Sequence, residues 1–338
     1  MNWIVLSIVL LLSFGANLFI GSVDIPVSEV WNILCGGCNP DSPLNYIVLQ
    51  SRLPAALTAI LGGSALSLAG LMMQTAFRNP LAGPSIMGIN SGASLGVAVI
   101  VLLTGGIITT GSVFIQGEIA IIIGALAGSF LILGLLILLS SILHNELMLL
   151  IAGILIGYLA SSLITILNFS ASADSIQSYV MWGMGSFSSV TMPRLSVFAI
   201  ITITGIFLAF LLIKPLDALL LGDNYAVNLG INIKRVRQLL LVSTGILAAG
   251  VTAYCGPISF IGLAVPHISR FILATDSHRR LFPMTLLVGS TTALLCNILS
   301  ILPASNIFGI GGKMLPLNAI TPLFGVPVIL YVILKRSR

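Results

Sequence analysis

Along the chain, long apolar runs alternate with short breaks rich in polar residues, Gly or Pro. Ten of the runs approach the roughly 20 residues an α-helix needs to cross the hydrocarbon core of a bilayer. They fall at 3–21, 53–74, 86–103, 119–141, 147–168, 195–213, 237–255, 257–274, 283–302 and 319–334. No basic residue precedes the first run, and Asn17-Leu18-Phe19-Ile20 offers no small-residue cleavage site. It is expected to be a retained helix rather than a secretory signal.

Composition strengthens that pattern. Of 338 residues, 57% are hydrophobic and 7% charged, with mean hydropathy +1.15, whereas a soluble domain carries roughly 25% charged residues. A soluble globular protein is excluded. The expectation is an all-α polytopic membrane protein with about ten transmembrane helices, residues 1–338 forming one transmembrane domain. With both termini cytoplasmic, Arg78, Lys214, Lys234, Arg235, Arg237, Arg270, Arg279, Arg280, Lys335, Arg336 and Arg338 lie inside, and Arg52, Arg194 and Lys313 outside. That asymmetry satisfies the positive-inside rule, so the basic excess implies no nucleic-acid partner. The acidic residues Asp24, Glu29, Asp41, Glu118, Glu146, Asp174, Asp217, Asp223 and Asp276 all fall in loops or at span ends. An ion-coupled secondary transporter usually keeps an ionisable group inside the membrane, although backbone carbonyls can replace it for sodium.

Small residues recur at every fourth position in three rows: Gly88, Gly92 and Gly96; Gly124 and Gly128; Gly153, Gly157 and Ser161. On a helix each row lies on one face and forms a packing seam. Breaks at Arg78-Asn79-Pro80-Leu81-Ala82-Gly83-Pro84, Pro257 and Pro266, and Pro322 and Pro327 interrupt helices at membrane depth. Lipid tolerates such breaks only where protein or a water-filled path satisfies the freed backbone groups, which points to a translocation path. Gln74, Asn79, Pro80, Gly88, Asn90, Gly92, Gly96, Pro266 and His267 are the path or packing candidates. His267 has no second ligand nearby, so packing beside Arg270 is expected and no metal site. Residues 214–237 form the longest polar cytoplasmic segment, in which Asp223 is expected to cap a short helix from Asn224 to Gly230. An ordinary solvated loop is the alternative. Cys255 and Cys296 read as buried small hydrophobes. Cys35 and Cys38 sit in the first outer loop, where a local disulfide is expected, with free thiols or a labile metal site as alternatives.

Several motifs now point one way. Arg52-Leu-Pro54, Gly62-Gly63 and Gly70-Leu-Met-Met-Gln74 are followed by Arg78-Asn79-Pro80-Leu81-Ala82-Gly83-Pro84 and Met87-Gly88-Ile-Asn90-Ser91-Gly92-Ala93. Trp182-Gly-Met-Gly185-Ser186, Leu221-Gly222-Asp223 with Ala226 and Leu229-Gly230, and Gly256-Pro257 through Pro266-His267 to Arg270 come next. In order and spacing these resemble the permeases of ABC importers for iron-siderophore, haem and cobalamin.

The resemblance implies a type II importer permease fold and a homodimer with a central path. It also implies two cytoplasmic ATPase subunits carrying ATP and Mg, and a periplasmic binding protein that delivers substrate to a bacterial inner membrane. Leu221, Gly222, Asp223, Ala226, Asn228, Leu229 and Gly230 map to the segment that docks on the ATPase. Asn145, Glu146 and Leu147, after His144, map to a cytoplasmic gate; the residues themselves read as a tight turn capped by Asn145. Arg52 is expected to meet the binding protein, with Arg194 and Lys313 replacing a second arginine that Ala55 removes. Asn297 and Met314 stand where many members carry an acid. The chain lacks a Walker motif, since Gly312-Lys313 is followed by Met314 and has Ile307 at the first-glycine position. ATP hydrolysis is therefore expected on another chain, and neither enzymatic chemistry nor a bound cofactor on this one. The resemblance implies an iron chelate of siderophore or haem type as cargo, with cobalamin or an oxyanion such as molybdate as alternatives of the same fold.

Overall fold

The structure, a computed structural model, describes residues 2–37, 42–110, 113–143, 145–304 and 314–336. All ten expected spans are helical. In chain order they are Asn2–Phe19, Pro43–Ala76, Ile89–Leu103, Glu118–Ile142, Glu146–Ser170, Met192–Leu211, Ile233–Cys255, Ile261–Leu273, His278–Ile301 and Leu317–Arg336. Six meet the length and hydropathy of a membrane span in one uninterrupted stretch, while the first, third, eighth and tenth are shorter apolar helices.

Their bounds differ from expectation where polarity or backbone geometry intervenes. The seventh span begins at Ile233 because Asn232 caps it, its Oδ1 accepting from the Arg235 N–H at 3.0 Å; the basic residues after it are helical. The ninth begins at His278, before Pro283, so its polar first turn was hidden from hydropathy. The eighth begins only at Ile261. Before it, Gly256 (φ 74°) and Phe260 (φ 66°) both take left-handed backbone, and a Cβ at Gly256 would meet the Trp182 carbonyl.

Short elements fill the loops. Val27–Leu34 is an amphipathic helix that buries Val30 and Ile33. Ala173–Gly183 and Ile213–Leu220 are further short helices. An antiparallel hairpin pairs Ile107–Thr110 with Val113–Gln116, with Ile108 opposite Ile115. This hairpin is the one departure from the all-helical expectation among the described residues, and its β-branched content explains it.

The second span is the hub. In its most apolar window 83% of residues are buried, against 17% for the fifth span, and it packs on the sixth, seventh, eighth and ninth. Backbones meet where glycines oppose each other. A Cβ at Gly63 would overlap the carbonyl oxygen of Gly289, one at Gly70 that of Gly262, and one at Gly96 that of Gly124. Two of the expected seams thus face each other, Gly92 against Gly128 and Gly96 against Gly124, while Gly88 lies on Gly153. The seam of the second span against Gly262 and Gly289 was not legible as a row. In lipid the hydrophobic effect does not drive helices together, so close packing of small residues does much of that work.

Gly70→Ala and Gly96→Ala are therefore expected to cost about 1–3 kcal/mol or more through overpacking. Gly15→Ala, whose Cβ meets nothing within 4 Å, should change stability by no more than about 1 kcal/mol. Thermal unfolding of the three variants in detergent measures the contrast.

Candidate functional site

The Asp223–Asn228 helix is six residues long and ends in a Schellman motif. Gly230 (φ 79°) takes the left-handed position, and the Ile231 N–H bonds the Ala226 carbonyl at 3.0 Å. Ala226 faces inward and is fully buried, whereas Leu221, Tyr225, Val227 and Leu229 are exposed. The expected side-chain cap is absent. Gly222 occupies the N-cap position, and the Asp223 carboxylate instead forms an ion pair with Arg78, which also donates to the Leu219 carbonyl at 3.4 Å. Arg78 itself has left-handed backbone (φ 44°) just beyond the second span.

Behind this surface runs a belt of buried polar contacts. Asp217 Oδ1 accepts from the His278 backbone N–H at 2.7 Å and lies 2.8 Å from Nδ1, while His278 Nε2 is 2.8 Å from Thr75 Oγ1. His278 is 1% exposed. The cluster joins the Ile213–Leu220 helix to the start of the ninth span and the end of the second. Next to it, Arg270 donates to Gln74 Oε1 at 2.6 Å and pairs with Asp276 at 3.5 Å. Gln74 Nε2 donates to the Leu263 carbonyl at 3.0 Å. Pro266 lacks the N–H that would bond the Gly262 carbonyl, and that carbonyl abuts Gly70 instead. His267 Nε2 donates to the Pro80 carbonyl at 2.9 Å.

Of the path-or-packing candidates, Gln74, Asn90 and His267 are buried, and Asn90 accepts from Thr252 at 3.1 Å. Gly88, Gly92 and Pro266 are also buried within the single subunit, while Asn79, Pro80 and Gly96 are half-buried. Asn79 closes its own turn by accepting from the Leu81 N–H at 2.9 Å. No cluster of three His, Cys, Asp or Glu side chains occurs among the described residues.

At the opposite end two of the sequence motifs lock together. The Ser186 N–H donates to the Cys255 carbonyl at 2.8 Å, and the Leu317 and Asn318 N–H groups donate to the carbonyls of Gly185 and Met184 at 3.3 and 3.2 Å. The Trp182–Ser186 segment therefore ties the end of the seventh span to the start of the tenth. Asn17 and Asn297, both buried, meet at 2.7 Å between the first and ninth spans.

The sequence profile of the FecCD transport family matches residues 7–335. The chain belongs to this family. It is 30% identical to the hemin transport system permease protein HmuU of Yersinia pestis over 99% of this chain and 95% of the relative. It is 33% identical to the vitamin B12 import system permease protein BtuC of Salmonella typhimurium over 86% and 84%. A solved metal-chelate type ABC transporter in an inward-facing conformation superposes with a TM-score of 0.82 at 27% identity, covering 98% of this chain and 97% of that one. The fold is thus that of a type II ABC importer permease. The chain is a transport subunit and not an enzyme, and in this family the ATPase is a separate subunit.

One of the outer cations, Arg52, needs correction. Expected to face a binding protein, it is turned inward and is 7% exposed. It donates to the carbonyls of Leu18 and Phe19 at 2.9 Å each and to that of Val23, so it caps the C-terminal end of the first span. Arg194 forms an ion pair with Glu118. Lys313 and Cys38 lie outside the described residues, and Cys35 is exposed. Of the gate candidates, Asn145 caps the fifth span, its Oδ1 accepting from the N–H groups of Leu147 and Met148 at 2.8 and 3.4 Å, and Leu147 is exposed. His144 lies outside the described residues. The Asp217–His278–Thr75 cluster was missed because its members are 61 and 203 residues apart in sequence and no local spacing announces them.

Arg52→Ala, which removes the donor from three carbonyls, that of Leu18 buried and those of Phe19 and Val23 partly so, should destabilise the protein by about 1–3 kcal/mol. Arg194→Ala breaks only a surface pair and should cost about 1 kcal/mol or less. Denaturant or thermal unfolding of the two variants compares the effects.

Proposed function

We propose that this chain is the membrane subunit of an ATP-driven importer that moves an iron chelate, of siderophore or haem type, from an extracytoplasmic binding protein to the cytoplasm. Two copies form the path, with the exposed fifth and tenth spans available for the contact between them. Two ATPase subunits drive it from the Asp223–Asn228 side, which places both termini in the cytoplasm of a bacterial inner membrane. Arg194 and Lys313 remain for the binding protein, and the Asn145–Leu147 turn for the inner gate. A haem-transport relative and a metal-chelate type neighbour support the cargo class. The vitamin B12 relatives favour cobalamin as a second reading.

The observation that carries the proposal is the short helix that buries Ala226 yet holds Leu221, Tyr225 and Leu229 in solvent at the membrane face. Apolar side chains held outward beside a basic membrane surface fit a docking surface for another subunit. Cargo needs no ligand on the permease, since recognition belongs to the binding protein and the wall need only interact weakly.

Asp223→Asn and Leu229→Asp should abolish stimulation of the partner ATPase by loaded binding protein. Folding stability should stay within about 1 kcal/mol of wild type, because the Arg78–Asp223 pair is half exposed. ATPase assays on the reconstituted complex read this out, and unchanged stimulation would contradict the assignment. Titrating the cognate binding protein with ferric chelates, haem, cobalamin and molybdate decides the cargo.

A further inference from the structure

Between the inner ends of the sixth and ninth spans lies a cleft of about 960 Å³. Its floor is apolar, formed by Ile206, Phe210, Phe282 and Leu286, and its rim carries Lys214 and Arg279. Both cations are exposed. Neither has an ion pair or a side-chain hydrogen bond among the described residues. The one acid in the cleft, Asp217, is engaged by the two His278 N–H groups.

The ninth span adds a second observation. Its first turn carries Arg279 and Arg280 and no acidic residue, and Ser277 at the N-cap makes no side-chain capping bond. A helix N-terminus is the positive pole of the helix dipole, where cations are disfavoured and an anion is stabilised. The Asp217 carboxylate already takes the His278 N–H at this pole, but it stands alone against Lys214, Arg279 and Arg280, and a further anion between Lys214 and Arg279 completes the arrangement.

The apolar floor decides which anion. A free phosphate, or an acidic segment of the ATPase, would use the rim and leave the Phe210–Phe282 floor open to lipid. A phospholipid uses both. We propose that this cleft binds an anionic phospholipid, its phosphate between Lys214 and Arg279 and an acyl chain against Phe210 and Phe282. Basic pockets between transmembrane helices at the cytoplasmic side are a recurrent form of lipid site. The lipid braces the Ile213–Leu220 helix, which holds Lys214 and Asp217 and leads directly into the Asp223–Asn228 helix. The proposed function enters only in assigning the site to the inner leaflet.

The test uses the full chain purified in non-ionic detergent, without ATPase, so its outcome is independent of the coupling assays. Thermal unfolding is followed while phosphatidylglycerol, phosphatidylcholine of the same chains, or inorganic phosphate is added, and native mass spectrometry counts the retained lipid. Phosphatidylglycerol should raise the melting temperature and remain bound, and the other two should do neither. Lys214→Gln/Arg279→Gln should lose that increment while melting like wild type in lipid-free detergent. Equal stabilisation by phosphatidylcholine or by phosphate would overturn the proposal. So would an undiminished phosphatidylglycerol effect in the double variant, and if that variant also failed to assemble with the ATPase, the two cations would belong to that contact.

Discussion

The bundle depends on the close approach of helix backbones at opposed glycines. In a bilayer core no water satisfies a stray carbonyl, so backbone groups must be met within helices or by neighbouring helices. Where Gly70 admits the Gly262 carbonyl, the second and eighth spans come close enough for Gln74 to reach the Leu263 carbonyl and for Arg270 to reach Gln74. Pro266 leaves the Gly262 carbonyl without its helical donor, and Gly70 gives that carbonyl the room it needs. Without the glycines the buried polar belt could not assemble, and the helix leading to the exposed Asp223–Asn228 surface would lose its anchor.

That belt has two grades of strength. In the Asp217–His278–Thr75 cluster His278 and Thr75 are buried and Asp217 is partly exposed, and removing Asp217 or Thr75 would leave the buried His278 unsatisfied at a cost of about 1–3 kcal/mol. It fixes the Ile213–Leu220 helix to the second and ninth spans. The Arg78–Asp223 pair, half exposed, contributes about 1 kcal/mol or less. A firmly held base with a weakly held tip would let a docked ATPase, as proposed, move the short helix without unfolding its support.

Ten spans were legible because run length alone identifies them, and the scarcity of charge marked their ends. Hydropathy failed where polar residues are helical, as in the first turns of the seventh and ninth spans, and where apolar residues are not, as between Gly256 and Phe260. The Gly92 and Gly128 rows were readable as faces, but nothing in the sequence said that they face each other. Asp223 has the side chain of a cap, yet a long-range partner 145 residues away claims it. Arg52 has the charge of a docking residue, yet the carbonyls ending the first span draw it inward. Local chemistry predicted what each residue can do; tertiary contacts decided which option it took.

In the proposed function this chain conducts without storing energy, its motion driven from the Asp223–Asn228 surface by a separate ATPase. Uptake into proteoliposomes tests it most directly, with the chain reconstituted alone or with its ATPase and binding protein, and with ATP or an imposed proton or sodium gradient as the energy source. Uptake of the bound chelate is expected only with ATP and all partners present, unaffected when the gradients are collapsed. Gradient-driven uptake by the chain alone would contradict it.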